Sequence, residues 1–366
     1  MDKIKCFFEC LVPVTACNLK CDYCYVIQEG RNSGKITPLK YSPAQMREIF
    51  SHQNVGGTAF FNLCGAGETL FHQEIPLLVS ELINSGHYIN ITTNGTYTRG
   101  IDHLLNQLPS GKEDHLLVSF SLHYLELKCR NLLKIFTENI HKVQVKGCSI
   151  LVQLNLYDGY IPYIDEIKDF CYNQFGALPQ IAATRDEEHK PIKLHTNLTK
   201  DEYMQIGEEF DSPLFRMTMK NFNHPHADYC YAGLWSHVLD LGKGTIKACY
   251  CNGPEYDILL YYKNPSLAAP VANKCGCAYC INSSHFLSLG AIPTIFQNIT
   301  YESLRNRKTA NGIEWFQPAM KSLLSQKLQD DNQQLTKRMK HYYELKSIVL
   351  RVNRKIKKTI TSIIHN

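Results

Sequence analysis

Short apolar runs alternate with amphipathic stretches over the first half of the chain. Runs rich in Ile, Val, Leu and Phe that end at turn residues predict buried strands. We predict these strands at residues 6–14, 58–64, 87–93, 115–122, 149–156 and 180–184. The amphipathic stretches predict helices at residues 72–85, 126–146 and 161–175. Ser42-Pro43 predicts the start of another helix, with Ser42 as the N-cap.

Strands that alternate with helices usually form parallel βαβ units with right-handed crossovers. The runs are continuous apolar segments, which is typical of a sheet covered on both faces. Six units are too few for a closed eight-stranded barrel. We therefore predict an α/β fold in which residues 1–186 form a partial (βα)6 TIM-like barrel, with functional residues at the carboxyl ends of its strands.

The pattern changes after the sixth strand. Residues 187–229 are polar and irregular, and we interpret them as a linker or insert. Residues 230–299 contain six cysteines and predict a small cysteine-rich C-terminal domain. Residues 300–366 predict a helical basic tail.

Positive charge is concentrated in that tail. The chain has 366 residues with 39 Lys+Arg and 34 Asp+Glu, a formal net charge of +5. Residues 337–366 contain nine Lys/Arg and one acid, Glu344, so this segment carries +8 and the rest of the chain −3. The tail is either a solvated terminal helix or a contact for a membrane surface or nucleic acid. No apolar run reaches the ~18 residues of a membrane-spanning helix.

The 15 cysteines are distributed unevenly along the chain. Nine of them are clustered: Cys17, Cys21, Cys24, Cys230, Cys249, Cys251, Cys275, Cys277 and Cys280. Clustered thiols in a chain of this length indicate metal binding rather than a disulfide scaffold. The other six lie singly in apolar surroundings and are expected to be buried packing residues: Cys6, Cys10, Cys64, Cys129, Cys148 and Cys171.

The N-terminal segment has some similarity to a bacterial lipoprotein signal. Lys3 and Lys5 precede an apolar stretch that leads to Cys17. Glu9 and Pro13 interrupt this stretch, which is barely long enough for a signal core. We therefore expect a cytoplasmic protein.

The first cysteine group, Cys17, Cys21 and Cys24, forms a CxxxCxxC motif directly after the first predicted strand. Three thiolates can hold three irons of a [4Fe–4S] cube, which normally takes four cysteines. The remaining iron is then open to a substrate, as in catalytic zinc sites that keep one vacant position. A zinc knuckle is the alternative, but it needs a fourth ligand close by, and none occurs before His52.

This motif resembles that of the radical S-adenosylmethionine (SAM) superfamily. Three later segments also resemble motifs of that family: GAGE after strand two, TTNGT after strand three and SFS in strand four. Each segment alone is also compatible with an ordinary turn or strand. The resemblance implies a SAM-binding [4Fe–4S] cluster, and SAM contacts by Tyr23, Gly65, Ala66, Gly67, Glu68, Thr93, Asn94 and either Ser119 or Ser121.

The second cysteine group resembles an auxiliary-cluster domain of the SPASM or twitch type. Cys230, Gly244 and Cys249 have the spacing of its first motif, whereas the later C-x-C-x2-C spacing departs from it. A structural zinc site is the alternative, because thiolate-only sites also suit zinc. The resemblance implies one auxiliary [4Fe–4S] cluster held by Cys230, Cys249 and two of Cys275, Cys277 and Cys280, with Cys251 as a further possible ligand.

The resemblance also implies the reaction class. Relatives of this type form a 5′-deoxyadenosyl radical that abstracts hydrogen, mostly from a peptide or protein side chain and in some cases from a sugar or glycan precursor. They receive electrons from a low-potential flavodoxin or ferredoxin. A non-catalytic metal–sulfur protein that binds membrane or nucleic acid through its tail remains a further alternative. Arg185 and Tyr250 are candidate catalytic residues, although Tyr250 replaces the aspartate base of sulfatase-maturing relatives.

Overall fold

One nine-stranded sheet organises the molecule. The computed structural model describes residues 3–189, 191–251, 253–273, 275, 280 and 283–364, the last range without the side chains of 283, 284, 351 and 353–364. The strands in chain order are β1 (Ile4–Val12), β2 (Thr58–Gly65), β3 (Tyr88–Thr93), β4 (Leu116–Ser121), β5 (Ser149–Leu156), β6 (Gln180–Ala183), β7 (Arg185–Asp186), β8 (Lys193–Leu194), β9 (Ser236–Asp240), β10 (Thr245–Lys247) and β11 (Tyr256–Asp257). The sheet order is β11-β10-β9-β1-β2-β3-β4-β5-β6, and β7 pairs with β8 separately.

Helices cover the sheet. They are α1 (Tyr25–Gln28), α2 (Pro43–Ile49), α3 (His52–Val55), α4 (Ile75–Asn84), α5 (Thr98–Gln107), α6 (Tyr124–Cys129), α7 (Leu133–Val145), α8 (Ile164–Phe175), α9 (Lys200–Glu208), α10 (Pro213–Asn221), α11 (Ile258–Lys263), α12 (Tyr301–Arg305), α13 (Pro318–Leu324), α14 (Leu328–Asn332) and α15 (Lys337–Ile364). Short 3-10 helices occur at Thr69–Phe71, Glu113–His115, Asp158–Tyr163 and Pro265–Leu267, and a short π-helix occurs at Ser283–Leu287. Inside α14, Gln329, Asp330 and Asp331 have left-handed backbone angles.

The predicted α/β architecture is confirmed. β1 to β6 pair in chain order, and every pair between them is parallel. The helix predicted from Ser42-Pro43 is also present, because the Ser42 side chain accepts from the Gln45 backbone N–H in a capping box. β9 pairs in parallel with the other edge of β1, so residues 236–257 extend the sheet of the barrel.

Two predictions about helices are wrong. The predicted helix 126–146 is two helices, α6 and α7, because Asn131 between them has φ +56°, a left-handed conformation that ends a helix. Residues 187–229, expected to be irregular, contain α9 and α10. Each helix is capped, by Thr199 and by Ser212, and α9 buries two of its nine residues whereas α10 buries five of nine.

The singly placed cysteines are mostly packing residues, as expected. Cys6, Cys10, Cys148 and Cys171 are buried. Cys64 is only half-buried, and Cys129 is exposed at the end of α6, so the expectation of burial is wrong for these two. The 14 cysteines that the structure describes are all free thiols.

His87, at the start of β3, makes the fold sensitive to acid. Its Nδ1 accepts from the Ala59 backbone N–H at 3.1 Å, and its Nε2 lies 2.6 Å from the Phe50 carbonyl oxygen. Burial lowers the pKa of His87 from 6.5 to about 4. The stability that neutral His87 contributes is therefore fully present above pH 6.5 and is lost as the pH falls towards 4.

We expect the His87 contribution to the free energy of unfolding to fall by about 2 kcal/mol between pH 7 and pH 5. Urea unfolding of the wild type and of His87→Gln at both pH values measures this contribution. The free energy of unfolding should depend less on pH in the variant than in the wild type. His341→Gln is the matched control, because His341 is an exposed histidine on α15. Equal pH dependence in wild type and His87→Gln would contradict the expectation.

Candidate active site

The carboxyl ends of β1 to β6 surround a cavity of ≈ 500 Å³. All six strand ends contribute to it, as parallel βαβ units require. Its lining includes the predicted site residues Cys17, Cys21, Cys24, Tyr23, Gly65, Ala66, Gly67, Glu68, Thr93, Asn94, Ser119, Ser121, Arg185 and Cys280. The fold therefore gathers residues that are up to 263 positions apart in the sequence around one space.

The three N-terminal thiols lie on one loop between β1 and α1. Cys21 is buried, Cys24 is half-buried and Cys17 is exposed. Burial raises the pKa values of Cys17 and Cys21, and the neighbouring thiols raise them further. Three thiolates so close together repel one another unless a positive centre lies between them, and a coordinating metal deprotonates its thiols. The thiol group thus has the chemistry of a metal-binding loop.

The glycine-rich segment after β2 packs against this loop backbone to backbone. The Gly67 N–H donates to the Val14 carbonyl oxygen at 2.9 Å, and the Glu68 N–H donates to that of Ala16 at 2.8 Å. A Cβ at Gly67 would lie 2.1 Å from the Ala16 carbonyl oxygen, so only glycine fits. The contact positions the residue immediately before Cys17.

Glu68 connects this segment to the turn after β3. Its carboxylate accepts from Thr93 Oγ1 and from the Asn94 and Leu70 backbone N–H groups, at 2.7, 2.7 and 3.0 Å. Burial raises the pKa of Glu68, and the three hydrogen bonds oppose that shift. Glu68 is thus a buried carboxyl group at the edge of the cavity, fixed by the end of β3 and by the helical turn Thr69–Phe71.

Asn18 also belongs to this network, and the sequence motifs gave no indication of it. Its Oδ1 accepts from Asn94 Nδ2 at 2.9 Å, and its Nδ2 donates to Thr96 Oγ1 at 2.8 Å. Asn94 Nδ2 also lies 3.7 Å from Cys17 Sγ. The cysteine loop is therefore tied to the TNG turn by side chains as well as by its own backbone.

A row of polar side chains crosses the inner face of the sheet beneath the cavity. Asn62 Nδ2 donates to Glu9 Oε1 at 2.5 Å, Asn90 Nδ2 donates to Asn62 Oδ1 at 2.5 Å, and Ser119 Oγ donates to Asn90 Oδ1 at 2.7 Å. His285 Nδ1 lies 2.9 Å from the other Glu9 oxygen. Ser119 therefore already makes a protein hydrogen bond, whereas Ser121 is half-buried in the cavity wall.

Tyr23 is held firmly beside the cysteine loop. Its hydroxyl lies 2.7 Å from His123 Nδ1 and 2.9 Å from the Tyr160 hydroxyl. Burial lowers the pKa of His123 to about 4, so its imidazole is neutral near pH 7. These hydrogen bonds fix the backbone of residue 23 at the cavity rim.

The two candidate catalytic residues occupy different positions. Arg185 lines the cavity, forms a 3.1 Å ion pair with Glu187 and lies over the ring of Tyr25 at 5.6 Å. Tyr250 is not among the lining residues, and 37% of its surface is exposed. Burial of its hydroxyl raises the pKa of Tyr250, with a contribution from nearby Glu9.

The second thiol group surrounds a smaller cavity of ≈ 40 Å³. Burial raises the pKa of Cys230, and the neighbouring Cys280, Cys249 and Cys275 raise it further. Cys251 also lines this cavity, and Cys277 lies outside the described residues. Cys280 lines both cavities, so the two thiol groups share a wall.

Within the described parts of the chain, no three His, Cys, Asp or Glu side chains are arranged to hold one metal ion. Cys277, a predicted ligand of the second thiol group, lies outside these parts.

One family model matches part of the barrel. Residues 11–158 match the family model of the Radical SAM superfamily. Over this part, which is less than half of its length, the chain is similar to that superfamily. The described residues fit a [4Fe–4S] cluster and SAM, because the cavity is lined by three thiols, a glycine backbone where a Cβ would clash, and a buried carboxyl group.

Solved structures with a similar fold include two of one protein. Streptococcus suis SuiB bound to S-adenosylmethionine is 14% identical, with a TM-score of 0.50 over 71% of this chain and 66% of SuiB. SuiB bound to the precursor peptide SuiA is also 14% identical, with a TM-score of 0.51 over 70% of this chain and 64% of SuiB. The chain thus spans slightly less than two thirds of the length of SuiB. No curated protein matches the sequence.

Proposed function

We propose that this chain is a radical SAM enzyme that abstracts a hydrogen atom from a peptide or protein side chain. The supporting observation is the cavity of ≈ 500 Å³, because the three N-terminal thiols, the glycine-rich segment and Cys280 all line it. When bound, the cluster and SAM supply a 5′-deoxyadenosyl radical, which takes the hydrogen atom. The protein supplies position, hydrogen bonds and exclusion of water.

The residues around the cavity have separate tasks in this proposal. Gly65, Ala66 and Gly67 let the backbone approach SAM closely, and Glu68 receives its methionine amino group. Asn94 holds the cysteine loop through Asn18. The fixed backbone of Tyr23 receives the adenine, and Thr93 with Ser121 or Ser119 completes the polar contacts. Arg185 faces the substrate from the end of the barrel.

An auxiliary [4Fe–4S] cluster at the second thiol group is part of the proposal. Cys230 and Cys249 are two of its ligands, and two of Cys275, Cys277 and Cys280 complete the set. The mutual proximity of Cys230, Cys249, Cys275 and Cys280 supports this assignment. A structural zinc site is the alternative, and metal analysis of anaerobically purified protein distinguishes the two.

A peptide is the preferred substrate for two reasons. SuiB, whose fold is similar, has been crystallised with a precursor peptide. The cavity also extends beyond the cysteine loop to His285 and Arg305, which leaves room for a side chain beside SAM. A sugar or glycan precursor is the second candidate, because the amides of Gln153 and Asn155 line the same cavity and can bind hydroxyl groups.

The first experiment tests radical chemistry with the full chain. After anaerobic reconstitution with iron and sulfide, addition of dithionite and SAM is expected to yield 5′-deoxyadenosine. Cys24→Ala should abolish this product, because one of three cluster ligands is lost. Cys129→Ala is the matched control, since Cys129 is an exposed thiol outside the cavity.

Iron content provides a second readout. The wild type should hold about eight iron atoms, four for each cluster, and the triple variant of Cys17, Cys21 and Cys24 should hold about four. A reconstituted wild type that never forms 5′-deoxyadenosine would favour a non-catalytic metal–sulfur protein instead. The rate of 5′-deoxyadenosine formation is then measured with a peptide mixture and with nucleotide sugars. The compounds that increase this rate identify the substrate class.

A further inference from the structure

The tail helix α15 is fixed to the body of the protein along one face. Lys340 lies over the ring of Tyr229 at 5.1 Å, and Lys346 Nζ donates to the Ala268 carbonyl oxygen at 2.7 Å. Ser347 is buried against the same surface. These contacts determine which side of the helix points away from the body.

The opposite face of α15 is apolar and exposed. At 100° per residue, Tyr342, Leu345, Val349 and Val352 lie within an arc of about 80° on the side away from Lys340 and Ser347, and Met339 and Ile348 lie at the two edges of this face. Between 40% and 56% of the surface of each is exposed: Met339, Tyr342, Leu345, Ile348, Val349 and Val352. Soluble proteins scatter exposed apolar side chains singly, whereas a contiguous row of this kind marks a contact surface.

Charge indicates what covers this apolar row. Residues 337–366 contain nine Lys/Arg and a single acid, and the rest of the chain has a net charge of −3. Lys337 and Arg338 are exposed at the start of the helix. The partner of the tail must therefore be negatively charged and must also offer an apolar layer.

An anionic lipid surface has both properties. Nucleic acid is bound mainly through its phosphates, which would leave the apolar row without a role. A second copy of this chain would bring two segments of charge +8 together, and their repulsion opposes pairing. None of the described helices is long and apolar enough to cross a membrane, so the helix would lie in the plane of the surface.

We propose that α15 binds the surface of an anionic membrane. The apolar row from Met339 to Val352 enters the boundary between headgroups and acyl chains, and the exposed Lys337 and Arg338 contact the lipid phosphates. Because the opposite face of α15 is attached to residues 229–273, this binding holds the folded body at the membrane. The proposal is independent of the reaction in the cavity.

Co-sedimentation of the full chain with vesicles tests the proposal. Vesicles of phosphatidylglycerol and phosphatidylcholine should bind the protein, and vesicles of phosphatidylcholine alone should bind it at least about tenfold more weakly. Leu345→Asp combined with Ile348→Asp should weaken binding to the anionic vesicles about tenfold or more, because the helix loses apolar contact. Lys337→Glu with Arg338→Glu should have a similar effect, and higher salt should weaken the wild type.

Matched controls carry the same chemical changes on other surfaces. Val145→Asp replaces an exposed apolar residue at the end of α7, and Lys134→Glu reverses an exposed charge on the same helix. Neither should change vesicle binding. Circular dichroism and the formation of 5′-deoxyadenosine should be unchanged in the tail variants, which shows that they are folded.

Three results would overturn the proposal. The first is equal binding to anionic and neutral vesicles, or binding to neither. The second is binding of a DNA duplex that the Asp variants of Leu345 and Ile348 leave intact, which would assign the tail to nucleic acid. The third is a wild-type dimer that these variants convert to a monomer without any vesicle binding, which would assign the apolar row to a second copy.

Discussion

Gly67→Ala is expected to lower the rate of 5′-deoxyadenosine formation at least about 100-fold, because a displacement of about 1 Å at a reacting centre has an effect of this size. The new Cβ would lie 2.1 Å from the Ala16 carbonyl oxygen and 2.7 Å from the Thr15 carbonyl carbon. Both are backbone atoms, so the loop itself must move. The loop carries Cys17 at its next position, and the movement displaces a predicted cluster ligand.

The same substitution should cost about 1–3 kcal/mol of stability, as other overpacked sites do. Ala66→Gly is the matched control, because it changes the neighbouring residue without adding an atom. Iron analysis and urea unfolding of both variants separate loss of the cluster from loss of the fold. A Gly67→Ala protein with wild-type turnover and wild-type iron content would show that the contact does not position the loop.

Glu9→Gln is expected to lower the free energy of unfolding by about 3 kcal/mol, since the loss of one partner from a buried charged network leaves the others uncompensated. Glu9 is buried in β1, where its two oxygens contact Asn62 and His285. Its charge also acts on the buried guanidinium of Arg305. Glutamine keeps the size of the side chain but removes the charge and one acceptor.

Urea unfolding at pH 7 measures the effect of Glu9→Gln. Glu48→Gln makes the same change at an exposed position of α2 and should alter stability by less than about 0.5 kcal/mol. Equal loss of stability in both variants would mean that the row beneath the cavity contributes no more than a surface carboxylate. We also expect weaker stimulation of SAM turnover by substrate in Glu9→Gln, because the floor of the cavity loses a negative charge.

Much of the barrel could be predicted because its strands are continuous apolar runs that end at turn residues. The strand predicted at residues 58–64 is Thr58–Gly65, and that predicted at residues 149–156 has identical bounds. The break between α6 and α7 could not be predicted, since it depends on the left-handed backbone of one residue, Asn131. α9 was missed because most of its residues are polar, and α10 because its apolar residues lie within a segment that is otherwise polar.

The residues of the candidate site that follow the ends of strands could be predicted from the sequence. Parallel strands bring their carboxyl ends together, so motifs after β1 to β4 had to meet if each strand was assigned correctly. Asn18 gave no comparable signal, because its partners Asn94 and Thr96 are far away in the sequence. The roles of the gathered residues stay predictions.

The polar row beneath the cavity did leave a signal in the sequence. In each of the first three strands, one polar residue lies directly between two apolar neighbours: Glu9, Asn62 and Asn90. The sheet places these residues in register, Glu9 beside Asn62 and Asn62 beside Asn90. One polar residue in each buried strand, at equivalent positions, therefore indicates a hydrogen-bonded row, since an unpaired polar group in a core is unfavourable.

The pairing of β9 with β1 has a consequence for a chain that is still being synthesised. Phe7 of β1 pairs with Ser236 of β9, which is synthesised much later. At a translation rate of 5–20 residues per second, this delay is roughly 10–50 s. Until then, one side of an aromatic-rich strand has unpaired backbone groups and can pair with another nascent chain. Slower translation prolongs the time during which this edge of β1 is unpaired. The yield of folded protein on overexpression should therefore depend on the translation rate and on chaperones that cover this edge.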